Sequence, residues 1–445
     1  MGRIRPPRAT TRPDYPRAHR AQYRRSCRGQ YRQRRAALPR DQGRLVHVLR
    51  PLLQLLGLAR PRSRTAHHPQ EAGHDGCCPP VPRAGSAPTV SATRPAIERI
   101  GWVDTGRGIA ILLVALFHSA NWLLGAGFDI PYWREINDAL SSMRMPLFFV
   151  LSGLFAPKWL LRPWRDLWTV KVRLYLWVFL LWEVVGSVVF LLGQTMKGEG
   201  FGLREAVLGL VVSPVLPRFE LWFIWALSIF FVVAKLSRRV NPRLQLVIAG
   251  AVSVVALSGL ETVNVGWSGS LKYYFFFLAG IYLRTWIIRV GEIDNRLLIG
   301  AALLLWAAVT ATVTLLGLRD VFGLYFLNCL VGVVGGIAFS RTLRGAHWFG
   351  TVGRITLPIY LAHTPIVILI SFVLSLPTFF AVVAVIAPVL PPFLAVTAVL
   401  LALALHRFAA RSVLRYAYEP PPFVTEFDQR RGRSIRPARP GEEAT

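Results

Sequence analysis

Apolar residues along the chain occur in blocks of about 20, the length that an α-helix needs to cross the hydrocarbon core of a bilayer. Short polar loops separate the blocks. The pattern predicts an all-α, polytopic integral membrane protein with about ten transmembrane helices. The predicted spans cover residues 106–124, 142–161, 172–194, 220–236, 244–260, 271–290, 297–316, 321–340, 355–376 and 379–406.

Two apolar stretches depart from this simple pattern. The last block contains "APVLPPF", so we expect a break or kink at Pro391 and Pro392. Residues 203–216 are too few to span a bilayer, and we expect them to lie at the interface or to re-enter the membrane.

The distribution of lysine and arginine predicts the orientation. The loops after the second, fourth, sixth, eighth and tenth blocks are rich in cations, and the intervening loops are poorer. By the positive-inside rule this alternation places both termini in the cytoplasm and requires an even number of spans. We expect a multi-pass protein of the cell (plasma or inner) membrane.

The two ends of the chain have a different composition from the predicted membrane domain at residues 97–408. Residues 1–95 hold 20 arginines, 19 of them up to Arg83, whereas the first lysine is Lys158. We expect this Arg/Pro-rich segment to be disordered. Three interpretations of this segment compete: a basic tail that binds anionic lipid, an arm that binds nucleic acid, or a non-native extension from a start codon placed too far upstream. We favour the last, with the true start near Val90. Residues 420–445 are a predicted disordered cytoplasmic tail.

The net charge of +29 alone would suggest a nucleic-acid partner, but its location in the N-terminal segment and the loops argues against one. Hydrophobic residues make up 53% of the chain, which excludes an ordinary soluble protein. The four cysteines form no disulfide framework, and we predict no metal site. They are Cys27, Cys77, Cys78 and Cys329.

The first span carries ionisable residues on one helical face. Asp104, Arg107 and His118 share that face, and the last two lie about 16 Å apart along the axis. This places Arg107 near the inner boundary and His118 near mid-membrane, where an ionisable group usually faces a protein interior or a cavity. Two simpler interpretations remain open. His118 forms only a hydrogen bond between two helices, and Arg107 only extends its side chain to the lipid headgroups.

A second intramembrane histidine changes the balance between these interpretations. The ninth block, "GRITLPIYLAHTPIV", places Thr356, Tyr360 and His363 on one face. Both spans run outward, so His118 and His363 should lie at a similar depth. We therefore expect them to face one shared cavity.

These motifs resemble the membrane-bound acyltransferase family 3 over residues 97–408. In that family, an arginine and a histidine separated by ten residues mark the first span, as in "ERIGWVDTGRGIAILLVALFH". The second span carries a proline–aromatic–Ser-Gly signature, as in "MRMPLFFVLSGLF". Later matches are "LWFIWAL", "YYFFFLAGIYL" and "GRITLPIYLAHTPIV". "RMPLFFVLSG" is similar to the branch of fucose O-acetylases.

The resemblance implies transfer of an acyl group, usually acetyl, from cytoplasmic acyl-CoA to a hydroxyl of a sugar or glycan. Acyl-CoA is then the donor substrate, with no bound cofactor. The expected partners are acyl-CoA, the glycan acceptor and membrane lipids.

A neutral imidazole can take the proton of a sugar hydroxyl, so His118 is the candidate base or transient acyl carrier. Asp104 and Arg107 would suit the donor side, because a guanidinium binds phosphates in a fixed geometry. Nearby cations would add attraction or serve only as topology determinants. These are Arg162, Arg165, Lys171 and Arg173.

The remaining candidates concern the acceptor. His363 with Tyr360 would orient it or relay a second proton, and Ser152 would donate toward an oxyanion unless its Ser-Gly pair only permits close packing. Residues at the outer ends of spans could bind the sugar, although aromatic-belt anchoring explains the aromatic ones equally well. They are Glu220, Trp222 and Lys272. Glu183 lies in mid-span and has no assigned role.

Two other classes of protein fit the same pattern. A ten-span transporter of a small solute or glycan precursor would also place polar residues in mid-membrane. We find no convincing inverted repeat, and the arginine–histidine pair of the first span has no obvious use in a transporter. A non-catalytic membrane sensor or scaffold is the third possibility.

Overall fold

The computed structural model describes residues 100–196, 202–217, 219–422 and 424, which all belong to one compact unit, residues 92–445. The predicted N-terminal segment, residues 1–95, lies outside the described residues. Of the predicted tail, only residues 420–422 and 424 are described. In these ranges the regular elements are helices, as the sequence predicts.

The α-helices of the described ranges are numbered in chain order. They are α1 (Gly101–Gly125), α2 (Trp133–Gly153), α3 (Pro157–Leu161), α4 (Trp164–Leu167), α5 (Arg173–Met196), α6 (Leu203–Val212), α7 (Trp222–Leu236), α8 (Pro242–Leu257), α9 (Val265–Tyr282), α10 (Arg284–Glu292), α11 (Arg296–Leu315), α12 (Leu324–Thr342), α13 (His347–Arg354), α14 (Thr356–Leu374), α15 (Pro377–Ile386) and α16 (Leu390–Ala409). A π-helical turn, Trp168–Val172, joins α4 to α5, and a 3₁₀ turn, Phe219–Leu221, precedes α7.

Six helical segments of the described chain are long and apolar enough to cross a membrane by length and composition. They are Gly101–Gly125, Trp164–Thr195, Arg296–Leu315, Leu324–Thr342, Thr356–Leu374 and Pro377–Ala409. The other four predicted spans coincide with α2, α7, α8 and α9, of which α7 and α8 have only 15 and 16 residues. The membrane class is thus supported, whereas ten spans and cytoplasmic termini remain predictions.

Some predicted boundaries need correction. The predicted span 142–161 is not one helix, because α2 ends at Gly153 and the short α3 follows. The predicted span 271–290 is divided at Leu283 into α9 and α10. The last predicted span is broken as expected, but at the 3₁₀ turn Ala387–Val389, just before Pro391 in the first turn of α16, where proline is tolerated.

Close helix crossings hold the bundle around α1. A Cβ added at Gly108 would overlap the carbonyl oxygen of Phe349 in α13, and one added at Gly353 would overlap the carbonyl oxygen of Asp104. Only glycine lets the two backbones approach this closely. Therefore the short α13 lies directly on the first turns of α1, beside Arg107.

Lys235, at the end of the predicted span 220–236, has a structural role. Lys235 is 1% exposed, and its Nζ donates to the carbonyls of Trp159 at 3.3 Å and Leu160 at 3.4 Å. It also donates to the carbonyl of Arg162. A cation at a helix C-terminus satisfies carbonyls that have no partner within the helix. Lys235 thus fixes the end of α3 against α7.

Candidate functional site

Two helices far apart in the chain bring His118 and His363 together. His118 lies on α1 and His363 on α14, and their ring centroids are 5.4 Å apart at an angle of 50°. Both side chains are buried, with residue exposures of 8% and 0%. The prediction that the two histidines lie at the same level is therefore confirmed.

Glu220 lies beside His118, in the 3₁₀ turn at the end of its predicted span. Its Oε1 is 3.5 Å from His118 Nδ1 and accepts a hydrogen bond of 3.1 Å from the indole of Trp122. The Tyr360 hydroxyl donates to the backbone carbonyl of Glu220. The 3₁₀ turn before α7 thus delivers a carboxylate to the histidine pair.

The partners of each ring indicate which nitrogen carries a proton. His363 Nδ1 lies 3.0 Å from the carbonyl of Ile359, which can only accept, so Nδ1 is the donor. His363 Nε2 then accepts from the Thr364 hydroxyl at 3.2 Å. On His118 the carboxylate of Glu220 faces Nδ1, which assigns the proton to that atom and leaves a lone pair on Nε2.

A cavity of about 200 Å³ is lined by Arg107 and by Tyr360, whereas neither His118 nor His363 belongs to its lining. The guanidinium carbon of Arg107 is 4.3 Å from the ring centroid of Phe155. Lys171, in the π-helical turn, also lines the cavity, so two cations face the same space. The other lining residues are Phe148, Ser152, Leu174, Tyr175, Phe223, Ile224, Leu227, Thr356, Leu357 and Tyr360.

Three further predicted residues border this cavity or its cations. Tyr360 lines it, and its ring centroid is 6.0 Å from that of His363, so it connects the cavity with the histidines. Ser152 also lines it, but its hydroxyl donates to the carbonyl of Phe148 at 2.8 Å. The charge of Asp104 acts on Arg107.

The described contacts of Trp222 and Lys272 are with residues other than the two histidines. The Trp222 ring packs against Phe149 and Tyr273, with centroid distances of 6.1 and 6.2 Å. The charge of Lys272 interacts with those of Glu261 and Arg319. In the described part of the chain, no hydrogen bond or ring contact joins Trp222 or Lys272 to His118 or His363.

The structure also reveals a buried arginine that the sequence argument missed. Arg144 of α2 is 5% exposed, and its guanidinium carbon lies 4.1 Å from the ring centroid of Phe117, the neighbour of His118 in the chain. The available signal was the spacing of Asn137, Ser141 and Arg144, which places polar side chains on one face of α2.

The geometry defines a class: an integral membrane protein whose helices enclose a carboxylate-bound imidazole beside a cationic cavity. Residues 100–407 match the family model of the acyltransferase domain, acyltransferase 3. This match covers more than half of the chain. The chain belongs to the acyltransferase 3 family.

A curated relative supports the same family. The chain is 24% identical over 184 residues to the nodulation protein NolL of Mesorhizobium japonicum (strain LMG 29417 / CECT 9101 / MAFF 303099). The alignment covers 40% of this chain and 46% of that protein, so the chain spans less than half the length of this relative. No solved structure matches the chain. Family membership favours the acyltransferase interpretation over the transporter.

Proposed function

We propose that the protein transfers an acyl group, in the simplest case acetyl, from cytoplasmic acyl-CoA to a hydroxyl of a sugar or glycan at the cell membrane. The observation that carries this proposal is the contact of 3.5 Å between His118 Nδ1 and the carboxylate of Glu220. A carboxylate at one nitrogen of a histidine orients the ring and stabilises the imidazolium that forms when the other nitrogen takes a proton.

The cationic cavity supports the donor half of this proposal. Acyl-CoA carries several phosphates, and Arg107 and Lys171 supply two positive charges in the cavity of about 200 Å³. This cavity adjoins Tyr360, which in turn packs near His363. A thioester bound there would extend from the cationic residues toward the two imidazoles.

The proposed reaction uses His118 as general base. Its Nε2 takes the proton of the acceptor hydroxyl while that oxygen attacks the thioester carbonyl carbon. A carbon–oxygen bond forms, the carbon–sulfur bond breaks, and the imidazolium returns the proton to the departing thiolate. The products are the acyl ester of the acceptor and free CoA.

In this mechanism His363 and Tyr360 are positioning residues. The Nδ1 proton of His363 is held by the carbonyl of Ile359, and its Nε2 accepts from Thr364, which fixes the ring beside His118. The hydrogen bond of Tyr360 to the Glu220 backbone fixes the turn that carries the carboxylate. These three hydrogen bonds hold the groups around the base in place for the acceptor.

The test is label transfer. Membranes that contain the protein are incubated with [¹⁴C]acetyl-CoA, and base-labile label is recovered from the glycan fraction. His118→Ala should lower the rate about 10³-fold, the range of a lost general base. Glu220→Gln should lower kcat by about 10- to 100-fold and leave KM for acetyl-CoA unchanged, because the carboxylate acts through the imidazole.

His347→Ala is the matched control, since His347 is exposed at the start of α13. It should keep wild-type transfer and wild-type expression. Full turnover by His118→Ala would exclude His118 as the base. Uptake of an unmodified sugar into proteoliposomes, without release of CoA, would favour a transporter instead.

A further inference from the structure

A buried arginine one aromatic ring away from His118 has no role in the mechanism above. Arg144 is 5% exposed, and its Nη1 has no hydrogen-bond partner among the described residues. Its guanidinium carbon lies 4.1 Å from the Phe117 ring centroid, and the Phe117 ring lies 4.9 Å from that of His118.

A second side chain on the same helix is equally unsatisfied. Asn137 is 4% exposed, and neither its Oδ1 nor its Nδ2 has a partner in the part of the chain that the structure describes. Asn137, Ser141 and Arg144 are spaced by four and three residues, so they share one face of α2. We call these three residues the polar face of α2. The Ser141 hydroxyl forms hydrogen bonds with the hydroxyl of Tyr325 and with the backbone carbonyl of Asp138.

Asp138, the acidic residue whose charge acts on Arg144, already forms an ion pair with another arginine. Asp138 Oδ1 accepts from Arg319 Nη1 at 2.7 Å, and the two side chains are 52% and 45% exposed. The guanidinium carbon of Arg319 also lies 4.5 Å from the Tyr325 ring centroid. The polar face of α2 therefore begins near an exposed ion pair and ends beside Phe117, next to His118.

An arginine without a counter-ion inside a membrane protein is costly and usually marks a functional site. Stacking on Phe117 offsets part of this cost, but it uses the face of the guanidinium and not its in-plane N–H donors. Those donors match a carboxylate or phosphate in two-pronged geometry. Asn137 adds one donor group and one acceptor, as binding of a sugar requires.

We propose that the polar face of α2 binds an acidic acceptor, a sugar that carries a carboxylate or a phosphate group. Arg144 takes the anionic group, Asn137 bonds to neighbouring hydroxyls, and a free hydroxyl of the same sugar is presented to His118. This inference rests on the proposed function, because it assigns the substrate class of the same site.

Equilibrium dialysis with the purified protein in detergent tests the subsite without turnover. The three probes are p-nitrophenyl glucuronide, glucose 6-phosphate and, as the neutral comparison, p-nitrophenyl glucoside. Wild type should bind at least one acidic probe about tenfold more tightly than the glucoside, the effect expected of a charged hydrogen bond. Whether the glucuronide or the phosphate is preferred distinguishes the two acidic groups.

Arg144→Gln should abolish this preference, whereas Arg296→Gln, at an exposed arginine, should keep it. If Arg144→Gln does not remain monodisperse, Asn137→Asp replaces it, because a negative charge on the same face should weaken binding of both acidic probes. Equal binding of all three probes by wild type, or an unchanged preference in Arg144→Gln or Asn137→Asp, would overturn the proposal.

Parallel assays of label transfer separate this proposal from the proposed function. An acidic preference that depends on Arg144, without transfer to any acceptor, would support the subsite and refute the acyltransferase mechanism. Transfer at equal rates to glucuronide, sugar phosphate and glucoside would support the mechanism and refute the subsite.

Discussion

Helices α1 and α11 satisfy the same criteria of length and hydropathy, yet they occupy very different surroundings. In the most apolar 18-residue window, 56% of residues are buried in α1 and 11% in α11. α1 carries His118 and Arg107, whereas α11 mostly presents apolar side chains outward. Hydropathy therefore identifies a membrane helix, but the small and ionisable residues identify the helix around which the others pack.

The largest contrast between the two helices should come from their glycines. Gly108→Ala places a Cβ on the carbonyl oxygen of Phe349 in α13, whereas nothing lies within 4 Å of a Cβ at Gly300 of α11. We expect Gly108→Ala to destabilise the protein by about 2–3 kcal/mol, because backbone must move. Gly300→Ala should be neutral or slightly stabilising. Thermal unfolding in detergent measures both, and equal melting temperatures would contradict the close crossing.

An arginine near the start of each helix gives the next contrast. Arg107 lines the cationic cavity, and Arg296 is exposed at the first residue of α11. Arg107→Ala should raise KM for acetyl-CoA about 10- to 100-fold, the loss expected when charged hydrogen bonds to phosphate are removed. Arg296→Ala should change KM less than twofold. Equal KM values in the two variants would remove Arg107 from the donor site.

The smallest effects concern two hydroxyl groups, and here the substitution in α11 should destabilise the protein more than the one in α1. Ser119 of α1 is 0% exposed, and its hydroxyl has no partner among the described residues, so Ser119→Ala should raise stability by up to about 1 kcal/mol with full activity. Thr310 of α11 is 3% exposed and donates to Asn328 at 2.8 Å. Thr310→Val should lower the free energy of unfolding by about 1 kcal/mol, because this hydrogen bond is lost. Chemical unfolding curves measure both, and loss of transfer in Ser119→Ala would show that its hydroxyl contacts substrate.

Much of the helical framework could be predicted from the sequence because apolar blocks and helices obey the same length requirement. The similar level of the two histidines was predictable for the same reason, because Arg107 and Arg354 mark the start of each apolar run. Helix ends were less predictable. Leu283 divides an apolar run with no proline or glycine at the break, so the periodicity of the sequence does not mark the division.

The site was less predictable, since its key contacts join residues far apart in the chain. Glu220 and His118 are separated by 102 positions, and one sequence holds no signal of their contact. Arg144 was missed for a different reason: it stands at the start of "MPLFFV", where a cation normally marks a span boundary. Polar residues whose charges or hydroxyls act on it belong to three different helices, α2, α9 and α12.

The π-helical turn at Trp168–Val172 has a consequence for insertions and deletions. A π-turn accommodates one residue more than a regular helical turn. Removal of Val172 would restore a regular helical turn and shift Lys171 by one position toward α5, which would rotate its side chain by about 100° around the axis. Lys171 would then no longer line the cavity together with Arg107. The number of residues in this turn therefore determines the charge of the cavity as much as their identity does.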